Sequence, residues 1–466
     1  MKVSLNWIKE FVDLPTDLSI QQLAYDLTMR TVEVEGFEDL GASLDKIVVA
    51  KIESVEPHPQ ADRLRVVKVD AGEDELCQVV CGGSNLEVGQ MVVLAKPGSY
   101  VRWHGEGEPV EIKASKLRGV PSAGMICASA EIGMEELFPA KEEAEIVDLA
   151  GYDATPGQPV SKLVGRDDII FEIDNKSITN RPDLWGHYGI ARELAAIYDL
   201  PLKPLPEFKE QLPAGISVEI EDDSRCARYA ALSIEGIVNK PSPIWMRERL
   251  ASLDVRPINL MVDITNYVML CVGEPTHAFD AAHVEGGIVV RQAETGEKLT
   301  LLNDEVVELC DSDLLIADKV KALALAGVMG GKLDSVLDDT QAVILEVANF
   351  DAIGTRRTAT RLGVRTESSS RFEKALDTQR VDQALGLTVA LLNELMPEAR
   401  FTGFTDVIKK ETQTLFVPVS KDYLEKRLGS TLEVDEVQAL LGRLGFEVTF
   451  ADGVFTCHVP SWRATG

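Results

Sequence analysis

The chain has 466 residues, 45% of them hydrophobic and 26% charged, and its 47 Lys and Arg against 76 Asp and Glu leave a net charge of -29. That length predicts roughly three to four domains, and so acidic a balance excludes a protein that grips nucleic acid through its overall field, though not local basic patches. No apolar run approaches the ~18 residues of a membrane span, the N-terminus lacks a signal-peptide core, and seven cysteines without a metal-type CxxC pair read as reduced thiols, so the expected setting is cytoplasmic.

Residues 1–40 predict a small helix and strand unit. Trp7, Ile8, Phe11 and Val12 fall at helical spacing, and Ser19 is a natural N-cap for a second helix. Over 45–135 short alternating strands separated by glycine-bearing turns predict a small all-β barrel. Lys113, Lys116 and Arg118 lie close together there, yet 10 basic residues face 14 acidic ones over this stretch. That is a weak electrostatic footprint, and a solvated barrel face explains it equally. Thr179 to Asp183 predicts a helix start with Pro182 in its first turn, followed by an apolar face of Leu184, Tyr188, Ala191, Leu194 and Tyr198. Asn175, Asn180, Arg181 and His187 are read there as cap and docking contacts. Four prolines between 201 and 213 mark a stiff linker.

The stretch from Arg256 to Asp280 sets polar groups into an apolar run: Thr265 and Asn266, then His277 after a Glu-Pro-Thr turn. Buried, such groups must find partners, because leaving one unsatisfied costs about 1–3 kcal/mol. They are structural cross-links or the lining of a pocket. Ala322 to Gly331 reads as a buried strand ending in Gly327, Gly330 and Gly331, which permit close approach to the backbone or tight turns. Residues 343–347 put one carboxylate, Glu346, on the strand face opposite Leu345 and Val347. That face is a solvated edge or else needs a partner, an arginine from 356–371 or a ligand hydroxyl. Residues 355–374 hold six basic side chains against two acidic ones. From Thr414 a further small unit begins, with Asp435 a candidate cap for its last helix.

RPINLMVDITNYVMLCVGEPTHAFD, ALALAGVMGG, VILEVANFD and RLGVRTESSSRFEKALD together resemble the editing domain in the β subunit of bacterial phenylalanyl-tRNA synthetases. HPQADRLRVVKVD and SKLRGVPSAGMICASAEIGM resemble the oligonucleotide-binding-fold module of the same family. The resemblance implies an α+β multidomain chain. Residues 1–40 and 150–210 form an α/β connector unit, 41–150 the oligonucleotide-binding-fold β-barrel, 211–400 the editing domain, and 410–466 the start of a small α/β domain cut short. It implies hydrolysis of mischarged tyrosyl-tRNA(Phe), with His277, Asn266 and Thr265 handling the ester and its water, and Glu346 and Gly327 binding the amino acid. Lys113, Lys116, Arg118, Arg356, Arg357 and Arg361 become candidates for tRNA contact. An α subunit, in an (αβ)2 assembly, would ligate Phe using ATP and Mg2+, with no metal or cofactor held by residues 1–466 and the family's Mg segment beyond them. Ser368-Ser369-Ser370 departs from the family's Ala-Ser-His, so no role of that histidine carries over. A non-catalytic tRNA-binding or assembly module stays the alternative.

Overall fold

A computed structural model of the chain describes residues 1–142, 144–410 and 414–463. Residues 411–413 and 464–466, which fall in the expected C-terminal unit, lie outside the described residues. The chain clusters into two units, Glu38–Ile170 and Met1–Phe37 with Phe171–Gly466.

In the smaller unit five antiparallel strands run in the order Met125–Ile126, Met91–Ala95, Ile47–His58, Ala61–Asp70, Cys77–Cys81. Val67, Val69, Val79, Val92 and Leu94 fill its core. The expected barrel is not closed by a ladder among the described residues. Near the edge strand Cys77–Cys81 the chain carries Pro121, which has no N–H to donate. The edges are instead stitched by isolated bonds, from Val80 N to Ser122 Oγ at 3.0 Å and from Gln78 Nε2 to the Pro121 carbonyl at 2.9 Å. Lys113, Lys116 and Arg118 are all exposed beside the hairpin of Ser115–Leu117 and Val120–Ser122.

In the larger unit the helix expected from Thr179 is broken in two, a 3-10 turn Pro182–Trp185 and an α-helix His187–Tyr198. Gly186 between them is extended, and a Cβ there would lie 2.5 Å from the Gly273 nitrogen. Only glycine lets the two chains pass. His187 is buried, its Nε2 accepting from Ser4 N at 3.0 Å and its ring meeting the Leu270 carbonyl through Nδ1 at 2.7 Å.

The centre of this unit is a pair of sheets facing one another. One is antiparallel, in the order Thr276–Asp280, Ala342–Phe350, Cys226–Glu235, Arg400–Ile408. The other runs Val218–Ile220, Ile288–Gln292, Leu314–Ala317, Ala322–Leu325, Met329–Gly330, its first pair parallel and the rest antiparallel. Tyr229, Ala231, Phe279, Ile344 and Ala348 from the first meet Val290, Ile316 and Leu323 from the second in one apolar core. Helices Leu260–Val272 and Arg380–Leu395 pack on the first sheet. At the C-terminal end Leu415–Ser420, Val454–Val459 and Glu447–Ala451 form a separate sheet. Asp435 lies in the first turn of the helix Val434–Arg443, whose cap residue is Glu433 without a side-chain bond; the expected cap, Asp435, falls two residues past it.

Arg228 ties this scaffold together. Its buried guanidinium donates to Asp406 at 3.0 and 2.7 Å, to Asp382 at 2.9 and 2.7 Å, and to the Thr378 carbonyl at 2.8 Å. Arg228→Met should therefore cost about 3 kcal/mol, toward the lower end for a broken buried pair because Asp382 still reaches water. A urea denaturation midpoint that does not move would contradict this role.

Candidate functional site

The strand Ala342–Phe350 has a neighbour on each side, so Glu346 is not at a solvated edge. Its side chain shares a face with Ile344 and Ala348, the face covered by the second sheet, and only 6% of the residue is exposed. Across the ladder its direct partner on one side is His277, and on the other Ala231. Side chains of directly opposed residues stand on one face with Cβ atoms ~4.5–5.5 Å apart, so pairing alone sets imidazole beside carboxyl. Among the described residues no arginine pairs with Glu346. Its one hydrogen bond among the described residues comes from the Tyr229 hydroxyl at 3.5 Å.

These groups open onto a cleft of about 490 Å3 whose lining includes Thr265, Asn266, His277, Gly327 and Glu346. The helix Leu260–Val272, capped by Asn259 accepting from Val262 N, presents Thr265 and Asn266. The Thr265 hydroxyl is engaged by the Val262 carbonyl at 2.7 Å, so its proton is spent within the helix. Asn266 is half-buried and makes no side-chain hydrogen bond within the described chain, which leaves its amide for a ligand. Gly327 turns the glycine-rich wall with φ +68°, and a Cβ there would crowd Thr355, Phe350 and Phe372. That wall is held by two hydroxyls, Thr366 donating to the Val328 carbonyl at 2.7 Å and Ser368 to the Gly327 carbonyl at 3.2 Å. Ser368, where the family resemblance departs, thus has a structural partner of its own.

Burial dominates the electrostatics. It pushes the Glu346 carboxyl up to about 8, against the opposing pull of the Tyr229 hydrogen bond, so at neutral pH the group is a neutral acid that both donates and accepts. Burial also takes His277 down to about 4, leaving a neutral imidazole. Its Nε2 is covered and has no hydrogen-bond partner, and its ring stands edge-on to Phe279 with centroids 4.6 Å apart.

The basic segment divides differently from the sequence pattern. Arg371 is wholly buried, donating to the Trp185 carbonyl at 3.0 Å and to Glu367. Arg361 is spent on Asp313 and the Glu308 carbonyl, while Arg365 and Lys374 share Glu373. Arg356 and Arg357 remain exposed, each with no ion pair among the described residues, and both line a shallow recess along the helix Ala352–Leu362. Of the candidates in the smaller unit, Lys113 pairs with Glu111 at 3.0 Å, and Arg118 reaches the Gln60 carbonyl at 3.4 Å. No cluster of three or more metal-binding side chains occurs among the described residues, and no described helix is long and apolar enough to cross a membrane.

One contributor escaped the sequence reading. Tyr229 sits two residues from Ala231 in an apolar strand, with no signal beyond its period-2 phase. For Gly330, read from the sequence as a site of close backbone approach or of a tight turn, what approaches is the imidazole: a Cβ there would stand 2.5 Å from His277 Cε1.

Residues 225–397 match the B3/4 domain, residues 47–150 the "Putative tRNA binding domain", and residues 417–465 the tRNA synthetase B5 domain. Over its whole length the chain is then a homologue of phenylalanine–tRNA ligase beta subunits. It is 41% identical to that of Solibacter usitatus, covering 100% of this chain and 58% of that one, and 38% identical to that of Streptococcus mutans, covering 99% and 57%. The chain therefore spans less than two thirds of the length of these curated relatives. Among solved structures, an N-terminal fragment of the Pyrococcus horikoshii phenylalanyl-tRNA synthetase beta-subunit aligns loosely, at 19% identity and TM-score 0.33 over 64% of this chain and 83% of that one.

Two outcomes follow from the cleft geometry. Gly330→Ala should displace the imidazole, shift the His277 ring resonances and cost about 1–3 kcal/mol by overpacking; unchanged resonances and stability would contradict the contact. His277 should stay neutral above pH 5 in the folded protein. Because its folded value lies below the unfolded one near 6.5, its contribution to stability is present above pH 6.5 and is lost as pH falls toward 4. An NMR titration with a midpoint above 6 would exclude so dry an imidazole.

Proposed function

We propose that this chain carries the editing site of a phenylalanine–tRNA ligase and hydrolyses tyrosyl-tRNA(Phe). In this reading residues 211–400 form the editing domain, 41–150 an oligonucleotide-binding-fold unit that touches tRNA, and 410–466 a small domain. The partner is an α subunit in an (αβ)2 assembly, which uses ATP and Mg2+ to ligate Phe in the cytoplasm. The observation that supports it is the convergence of Thr265, Asn266, His277, Gly327 and Glu346 on one cleft, with His277 and Glu346 directly opposed.

The discrimination turns on one hydroxyl. An apolar pocket rejects an added hydroxyl poorly, whereas a site built to bond that hydroxyl rejects the analogue lacking it by as much as ~10^4-fold. Tyrosine satisfies the buried Glu346 carboxyl with its phenol; phenylalanine leaves it short of a partner at a cost of about 1–3 kcal/mol. Because the carboxyl is neutral at pH 7, the penalty is that of a neutral acid with its cleft-facing position unfilled and not of a buried charge. The phenol either donates to the carboxyl or accepts from it.

For the ester, water attacks the carbonyl carbon, the ribose oxygen leaves with a proton, and tyrosine and tRNA are released. A general base works best with a pKa near the working pH, and an imidazole held at about 4 takes a proton poorly. We therefore assign His277 to orienting the water or the ester through its unpartnered Nε2, with the substrate's own ribose hydroxyl relaying the proton. Asn266, with its free amide, holds the aminoacyl group, and Thr265 shapes the wall.

Arg356 and Arg357 are the guanidiniums best able to meet the tRNA acceptor end, since Arg361 is engaged elsewhere. Glu346→Ala should lower the rate of tyrosyl-tRNA deacylation by at least tenfold, about 1.4 kcal/mol, and cost about 1–3 kcal/mol of stability for the Tyr229 hydroxyl it strands. A folded variant with full activity would remove Glu346 as the reader. The double variant Arg356→Glu/Arg357→Glu should weaken tRNA binding and flatten its dependence on log salt by roughly one to two. Should Lys116→Glu/Arg118→Glu produce that loss instead, the RNA contact belongs to the other unit.

A further inference from the structure

The Glu346 carboxyl has two sides. One faces the cleft, and behind the other stands Tyr229, whose side chain is wholly buried. Tyr229 pairs with Ala348 and Ala231 with Glu346, so phenol and carboxyl are diagonal neighbours on the same sheet face. Among the described residues the Tyr229 hydroxyl has no hydrogen-bond partner but Glu346 Oε2, and the Glu346 carboxyl has no side-chain partner but Tyr229. A buried hydroxyl without a partner costs about 1–3 kcal/mol, so each group needs the other. At 3.5 Å the bond is longer than the ~2.7–2.8 Å of a strong O–H···O contact. That length leaves the carboxyl loosely tethered and still able to close on a ligand.

We propose that Tyr229 is a positioning residue of the cleft, an internal phenol that holds one side of the Glu346 carboxyl so that the other is presented to the ligand's phenol. The inference rests on the editing reading and goes beyond it by naming what aims the reader. The carboxyl lies between two phenols, one fixed in the fold and one brought by the ligand. Without the inner one, the side chain has no preferred aim and the neutral acid turns to whatever backbone it can reach.

Titration gives the tether its own signature. The ionisable groups around the carboxyl are Tyr229 and Cys226 on the adjoining strand, His277 on the strand opposite, and Glu274, buried in the turn before His277. Of these only Tyr229 bonds the carboxyl directly, and its bond favours the ionised form, opposing burial. Removing the hydroxyl must therefore raise the Glu346 midpoint from about 8, whereas a merely space-filling tyrosine would leave it alone.

The test uses the intact chain, with L-tyrosinamide and L-phenylalaninamide as probes in calorimetry, and the Glu346 carboxyl carbon followed by NMR from pH 6 to 10. Wild type should prefer the tyrosine probe. Glu346→Met, which keeps the length of the side chain but neither donates nor accepts, should erase the preference, and Tyr229→Phe, which keeps the ring and the packing, should reduce it by about fivefold, the worth of one hydrogen bond, and move the carboxyl midpoint upward. If Glu346→Met leaves the preference intact, the editing reading of Glu346 fails and the tether with it. If Glu346→Met erases it while Tyr229→Phe changes neither preference nor midpoint, the reader stands and only the tether falls. The NMR midpoint decides on Tyr229 even where probe binding is too weak to measure.

Discussion

A carboxylic acid buried on an internal strand is the constraint around which the larger unit is arranged. Placing Glu346 between two strands and under a second sheet removes water from it, and an ionised carboxylate in such a place is so costly that the group keeps its proton instead. The antiparallel register then fixes its neighbours, His277 on one side and, diagonally, Tyr229 on the other. A slip of one residue in the strand Ala342–Phe350 would turn Glu346 to the opposite face, away from both. The geometry of the cleft is thus a consequence of strand pairing, not of loop placement. That makes it stiff, as the proposed discrimination of one hydroxyl requires.

The same burial sets the chemistry. It leaves His277 neutral and Glu346 neutral, so the two directly opposed groups bring no charge to the cleft. What it offers is a set of unfilled hydrogen-bonding positions, at Asn266, His277 Nε2 and the carboxyl. Such a site distinguishes ligands by which positions they satisfy.

Much of the site was legible in the sequence, because Thr265, Asn266, Gly327 and Glu346 are anomalies against an apolar background and His277 follows a turn. Polar residues in apolar runs advertise themselves. Tyr229 did not, since an aromatic in a strand reads as core and its hydroxyl's destination lies 117 residues away. The basic segment misled in the opposite sense. Its surplus of six cations over two acids ignores Asp313, 48 residues from Arg361 in sequence and bonded to it, and the complete burial of Arg371. Charge counted along the chain sees only local partners. Likewise the alternating strands of 45–135 foretold a β unit but not its open ladder, because closure depends on which edge residue carries an N–H. Gly186 broke a predicted helix for a reason located at Gly273, far along the chain.

The most direct test of the account is a crystal structure of the chain with a non-hydrolysable tyrosyl-adenosine analogue. The phenolic oxygen should lie within ~2.5–3.0 Å of a Glu346 carboxyl oxygen, with the aminoacyl linkage beside Asn266 and His277. A ligand whose phenol points to solvent, or which settles in the recess beside Arg356, would contradict it.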